Sequence, residues 1–382
     1  MRYLGVLICV AAACAQTPGE QKTAVVEGTV VNSVTGAALR RVDVTLSNSV
    51  VPAELAAMMQ QVKGIAGMPD MPKAATKTFT ATTDAAGKFR FEKVEPGVYY
   101  LKAKRAGFVD GSYQPKGGGG EGELRLSGGQ EMAKLEFRLV PQGAVSGRVL
   151  DEEGEPVAEA TVTAMKYSFA AGRRRLAPAD MERTDDRGQF RLGKLPPGKY
   201  FLCAELMRID PMGQAPPAPA DGSPETAYVA TYYPGTLDIS QAARVEAQPG
   251  GDVAGFNIRL QKSRVVRVKG KLAATDGAPG QVTQIMLIPG GGRIGGMNMT
   301  MVSDPEGKFE LTNLQPGSYT IMTMRMSGSS PTVNIQPLMV PSQGLEDGKL
   351  GSQPEGTVQG SITVEGDAKV ALKGLSIMLA PG

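Results

Sequence analysis

The stretch Asp84-Ala-Ala-Gly87-Lys-Phe89-Arg-Phe91-Glu-Lys-Val94-Glu-Pro96-Gly97-Val-Tyr99 decides how this chain is read. It recurs twice without a gap. The second copy is Asp185-x-x-Gly188-x-Phe190-x-Leu192-x-x-Leu195-x-Pro197-Gly198-x-Tyr200. The third is Asp304-x-x-Gly307-x-Phe309-x-Leu311-x-x-Leu314-x-Pro316-Gly317-x-Tyr319. Self-similarity at fixed offsets marks a repeat architecture, with one folding unit per copy.

Each part of the motif has a physical reading. Asp84, Asp185 and Asp304 end a strand, and their carboxylates cap backbone amides of the turn. Gly87, Gly188 and Gly307 accept positive φ there. Phe-x-Phe or Phe-x-Leu puts two large residues on one face of the next strand. Pro96-Gly97, Pro197-Gly198 and Pro316-Gly317 suit type II turns. Tyr99-x-Leu101-x-Ala103 then alternates inward, with Lys102 and Lys104 outward, and a period of two argues strand rather than helix.

Outward from the motif, Val26-x-Gly28-x-Val30, Val145-x-Gly147-x-Val149 and Val268-x-Gly270-x-Leu272 read as opening strands. Second strands follow at Val42–Leu46 and Ala160–Ala164, and copies one and two close with Leu135–Leu139 and Phe256–Leu260. About seven short strands per copy predict an antiparallel β-sandwich.

In this order the motifs resemble the carboxypeptidase regulatory-like domain. The resemblance implies an all-β fold of tandem antiparallel Greek-key β-sandwiches, transthyretin-like (prealbumin-like), with short helical or disordered inserts. Tyr232-Tyr233-Pro234-Gly235-Thr236 and Phe256-Asn257-Ile258-Arg259-Leu260 further resemble secreted, multi-copy members from soil bacteria. In that family the domain accompanies zinc carboxypeptidases, outer-membrane receptors and surface proteins without itself carrying catalysis. The expected organisation is a signal peptide at 1–15 and sandwiches at 24–141 (insert 49–78), 142–261 (inserts 168–182 and 207–226) and 262–352. An incomplete fourth copy at 353–382 begins with Val358-x-Gly360-x-Ile362. In the first insert, Pro52 to Gly64 reads as a helix of about three turns. Arg173-Arg174-Arg175 reads as a solvated loop.

The composition excludes much chemistry. The 382 residues include no His and no Trp, so no Ser-His-Asp triad, His-ligated zinc or imidazole base exists in this chain. A net charge of +3 is no excess aimed at nucleic acid. Arg2 followed by the apolar run Leu4–Ala13 and Ala13-Cys14-Ala15 reads as an export signal. A lipid anchor at Cys14 is the rival reading. After cleavage Cys203 alone remains, which is read as a small buried hydrophobe.

Gly290-x-Gly292-x-x-Gly295 and Gly117-x-Gly119-x-x-Gly122 match a dinucleotide pattern but open no helix, so both read as glycine loops. The three motif aspartates are too sparse in oxygens for Ca²⁺. Met297-x-Met299-x-Met301 and Met322-x-Met324-x-Met326 place thioethers at alternate positions. By the repeat, the second row takes the outward positions held by Tyr100, Lys102 and Lys104 in copy one. Packing on a partner is the first reading and Cu(I) binding the second. Tyr228, Tyr232 and Tyr233 are candidates for stacking on sugar rings, against an ordinary role in anchoring an edge strand.

The expectation is a non-catalytic secreted, periplasmic or cell-surface protein needing no cofactor. Its sandwiches bind an envelope protein or polysaccharide, with no nucleic acid and no membrane-spanning segment in the mature chain. The alternative is an accessory component of a peptidase or outer-membrane transport system.

Overall fold

The computed structural model describes residues 22–48, 77–114, 122–170, 173–206, 209–210, 223–272, 283–290, 298–302, 306–327 and 330–350, with 217, 219, 221 and 304 as isolated positions. The export signal, Cys14, the Pro52–Gly64 helix, Met297 and the fourth copy lie outside them. Most of the two Pro-rich and Gly-rich inserts does too.

The chain divides into two compact units. Of the described residues, 22–48, 77–105 and 110–139 form the first, and the others the second. The first unit carries β1 (Ala24–Asn32), β2 (Asp43–Ser47), β3 (Thr78–Thr82), β4 (Lys88–Val94), β5 (Gly97–Lys104), β6 (Gly111–Ser112), β7 (Glu123–Leu126) and β8 (Glu131–Leu139). One sheet runs β4-β1-β8 and the other β3-β2-β5-β6, with β7 also on β5. Val26, Val30, Phe89, Phe91 and Phe137 from the first sheet and Val44, Leu46, Tyr99 and Leu101 from the second are buried. Period-two burial on both sheets makes this a sandwich.

The second unit holds two more such cores. The copy-two strands are β9 (Gly143–Leu150), β10 (Thr161–Ala170), β11 (Arg173–Arg183), β12 (Gln189–Leu195), β13 (Gly198–Glu205), β14 (Ile209–Asp210), β15 (Thr226–Val229), β16 (Thr231–Tyr232), β17 (Val245–Ala247), β18 (Asp252–Val253) and β19 (Ile258–Arg259). Sheet β12-β9-β18, with β19 on β9, faces sheet β11-β10-β13-β16, with β17 on β13. Between them lie Val145, Val149, Val162, Phe190, Leu192, Tyr200, Leu202 and Ile258. β20 (Gln261–Arg264) pairs with β15. Copy three then forms β21 (Val266–Leu272), β22 (Thr283–Pro289), β23 (Asn298–Val302), β24 (Lys308–Leu314), β25 (Gly317–Ser327), β26 (Ser330–Val340) and β27 (Leu345–Leu350). Sheets β24-β21-β27 and β14-β23-β22-β25-β26 enclose Val268, Ile285, Leu287, Phe309, Leu311 and Ile321.

The all-β sandwich architecture is as the repeat implies, with one feature that the alternation does not carry. The opening and closing strands of each copy run parallel: β1 with β8, β9 with β18 and β19, and β21 with β27. The glycine of Val-x-Gly-x-Val permits it. A Cβ on Gly28, Gly147 or Gly270 would stand 2.5, 2.0 and 2.0 Å from the carbonyl oxygens of Leu135, Phe256 and Gly348. The closing strand therefore approaches closer than any side chain allows.

Arg173–Arg175 is a correction. The three arginines open β11, paired with Ser168–Ala170 of β10 rather than lying in a loop. The Arg174 guanidinium lies 3.7 Å from the centre of the Tyr167 ring, a diagonal neighbour on β10, so the charge rests on an aromatic face within the strand pair. Among the described residues, no helix is long and apolar enough to cross a membrane.

Candidate functional site

The repeated polar groups are used inside the turns. Oδ1 of Asp84 accepts from the amides of Ala86 (2.9 Å) and Lys88 (2.8 Å). Asp185 does the same for Arg187 (2.9 Å) and Gln189 (2.7 Å), and Asp304 for Glu306 (2.7 Å) and Lys308 (3.2 Å). Gly87, Gly188 and Gly307 have φ of 71°, 68° and 72°. The residue before Asp also acts. Thr83 Oγ1 donates to the Leu39 carbonyl (2.6 Å) and accepts from the Val42 amide (2.9 Å). Thr184 repeats this with Val157 (2.7 Å) and Ala160 (2.9 Å), tying the turn to the second strand.

The Pro-Gly pairs are bends rather than type II turns. Pro96, Pro197 and Pro316 are the bends, and Gly97, Gly198 and Gly317 are the first strand residues. Gly198 and Gly317 have φ of 154° and 143°, far from the +80° or so of a type II turn. The tyrosine two places on closes the bend instead. The Tyr319 hydroxyl donates to the Gln315 carbonyl at 2.8 Å, and that of Tyr200 donates to the Pro196 carbonyl. Burial raises the Tyr200 phenol above its ordinary pKa, so it stays a donor.

With the turns used structurally, what differs between copies is the outer face of one sheet. Lys102, Cys203 and Met322 occupy the same repeat position, three residues after the motif tyrosine. In copy one the cross-strand row through it is Thr80–Thr45–Lys102, a polar face. In copy two it is Met181–Thr163–Cys203–Tyr232. There Met165, Phe201, Cys203 and Tyr232 form a second small core against Leu176, Ala230, Ile239 and Ala242, so the chain covers its own face. The Cys203 thiol is pushed well above its usual pKa by burial and by the charge of Glu205, which keeps it protonated and unreactive.

In copy three the face is apolar and open. One row runs Met299–Met286–Met322–Ile335, the next Met301–Gln284–Met324–Val333. Met301 is 41% exposed, Met324 36%, Val333 and Ile335 each 48%, and Met339 68%. Met286, Met299 and Met322 are half-buried by their neighbours. The same strands turn Ile285, Leu287 and Ile321 into the core. No charged side chain stands in either row. Gln284 Nε2 donates to the sulfur of Met299, so that thioether leans over the central strand β22. Met286, missed by reasoning from the Met-x-Met strings, is the centre of the row. It sits singly in the apolar run Ile285-Met286-Leu287, where only strand pairing reveals it. Met326 is on β25, although its side chain lies outside the described residues.

The three tyrosines sit in three different settings. Tyr232 is 3% exposed, within the small copy-two core. Tyr233 packs against the main copy-two core and edge-on to Phe256, with ring centres 5.5 Å apart. Tyr228 is half-buried, with Lys262 Nζ 4.8 Å from its ring centre and Glu152 hydrogen-bonded to its hydroxyl, which raises its pKa. Two of the three rings serve packing. The reason is the segment after Tyr232, which folds back over the sheet.

Solved structures similar to this chain include the TIE protein of Bacillus anthracis (12% identity, covering 87% of this chain and 50% of that chain, TM-score 0.22). The minor pilin of Streptococcus agalactiae is another (16% identity, 62% and 96%, TM-score 0.29), as is the major pilin subunit of Bacillus cereus (11% identity, 86% and 99%, TM-score 0.22). This chain spans half the length of the first. No curated protein matches it in sequence. The likeness that names a family is located within the second sandwich: residues 144–211 match the carboxypeptidase regulatory-like domain.

Proposed function

We propose that this chain is a non-catalytic structural and binding protein, exported to the envelope, whose sandwiches are rigid frames for contact with an envelope protein. The observation that carries this reading is the fate of the repeated polar groups. The motif aspartates, the preceding threonines Thr83 and Thr184, and the hydroxyls of Tyr200 and Tyr319 all bond to backbone within their own copy. Groups so used build a frame; a reacting group has to face a substrate. What varies between copies is surface, where binding function is placed on a shared frame.

The test has two arms. Purified chain is assayed for peptide and ester hydrolysis, where no turnover above buffer is expected. Reproducible turnover abolished by one substitution refutes the reading. Cell fractionation and crosslinking then follow the full chain, with crosslinks to an envelope protein expected. Recovery in the cytoplasm, or crosslinks to polysaccharide alone, overturns the assignment of partner.

A further inference from the structure

We propose that the cross-strand row Met299–Met286–Met322 is a binding site for a soft monovalent cation, Cu(I). The site goes beyond the frame-and-contact reading and does not rest on it.

Register places the ligands. The three residues are direct neighbours across β23, β22 and β25, on the solvent side of one sheet. Directly opposed residues have Cβ atoms about 4.5–5.5 Å apart. Each thioether is carried on three rotatable bonds. The outer two can therefore lean over the middle one and meet a metal at roughly 2.3 Å, the metal–sulfur distance of a soft site. Met299 already leans that way, since its sulfur accepts from Gln284 on β22. Met301 and Met324, flanking Gln284 in the next row, can supply a fourth sulfur.

Donor chemistry selects the ion. Thioether sulfur is soft and uncharged, and suits Cu(I) over Mg²⁺, Ca²⁺ or Zn²⁺. A divalent ion on a face with no carboxylate would lose hydration without charge compensation. The fold does not require methionine here, because the equivalent rows are Thr80–Thr45–Lys102 and Met181–Thr163–Cys203. Half-buried strand positions favour β-branched and aromatic residues, so three consecutive thioethers are not explained by strand preference. Binding moves no electron and releases no proton, because a thioether has none to lose.

The experiment is anaerobic titration of the full chain, carrying Cys9→Ser and Cys14→Ser so that no N-terminal thiol competes, with the Cu(I)–bicinchoninate complex. Ag(I) titration read by methyl-¹³C methionine NMR runs beside it. Withdrawal of one Cu(I) per chain is expected, with Ag(I) shifting the methyl signals of Met286, Met299 and Met322. Met286→Leu keeps volume and fold, and should weaken binding by roughly tenfold or more, the scale of losing support at a metal site. Met339→Leu, on the same face but off the row, and Cys203→Ser should both bind as wild type. Ag(I) affinity should change less than about twofold between pH 5 and 7.5, since thioethers do not titrate. The proposal is overturned if bicinchoninate keeps its copper or if Met286→Leu binds undiminished. Loss of binding in Cys203→Ser overturns it as well. So does an Ag(I) affinity that collapses in acid, or a face whose only measurable behaviour is self-association by sedimentation.

Discussion

Copies two and three present the same sheet face and treat it in opposite ways. In copy two the outer face carries a covered apolar cluster: Met165, Phe201, Cys203 and Tyr232 pack with Ala230, Ile239 and Ala242. In copy three the outer row is apolar and open, with Met286 and Met322 at its centre and Val333, Ile335 and Met339 exposed beside them. The inward faces and the Asp-x-x-Gly turns hardly differ. The repeat thus specifies core and turns and leaves the outer face free. Copy one, with Thr80, Thr45 and Lys102, shows that the same frame also carries a polar row.

Substitutions that strike the two copies unequally can break or sharpen this contrast. The largest effect is expected at Met165, which is fully buried in the covered face. Met165→Ala should cost about 2–4 kcal/mol. It should also speed thiol labelling of Cys203, followed by peptide mass; unchanged labelling would mean that the cover is not a core. Next comes Gly188→Ala. Positive φ and a Cβ placed 2.6 Å from the Val149 carbonyl oxygen should cost about 1–3 kcal/mol in a circular-dichroism melt. The same change at Gly307 should cost less, because its nearest backbone oxygen, that of Leu272, is 3.2 Å away. Equal losses would show that strain, not contact, sets the penalty.

Tyr200→Phe removes the hydroxyl bonded to the Pro196 carbonyl and should cost about 1 kcal/mol by urea denaturation. The smallest effect is expected from Met322→Lys, which installs the copy-one residue on the copy-three face. An open face should tolerate it within about 0.5 kcal/mol by thermal melting. A loss above about 2 kcal/mol, the scale of burying an unpaired polar group, would show that something covers the face in solution.

Much of the frame was legible because its causes are local. Asp185 bonds to amides two and four residues on, and Leu101 and Ala103 alternate with Lys102 and Lys104. The candidate site was legible in part. Alternation from Tyr319 put Met322 and Met324 outward, yet nothing near Met286 in sequence joins it to Met299 and Met322. The settings of the tyrosines were not legible for a related reason. Tyr232 looks like a platform until β16 pairs with β13 and the following residues fold over it. Arg173–Arg175 looked like a loop because its charge says nothing about a strand partner.

By itself, then, the sequence determined the motif strands, the Asp-x-x-Gly turns and the inward faces of the three described copies, since these follow from contacts within a few residues and from the pleat. Tertiary structure alone decided the parallel closure of each sandwich, the cover over copy two and the methionine row of copy three. These arise from pairing between distant strands, as where Gly147 admits the backbone of Phe256 and the Arg148 amide reaches Asn257. Local propensity carries no record of which remote strand will lie alongside.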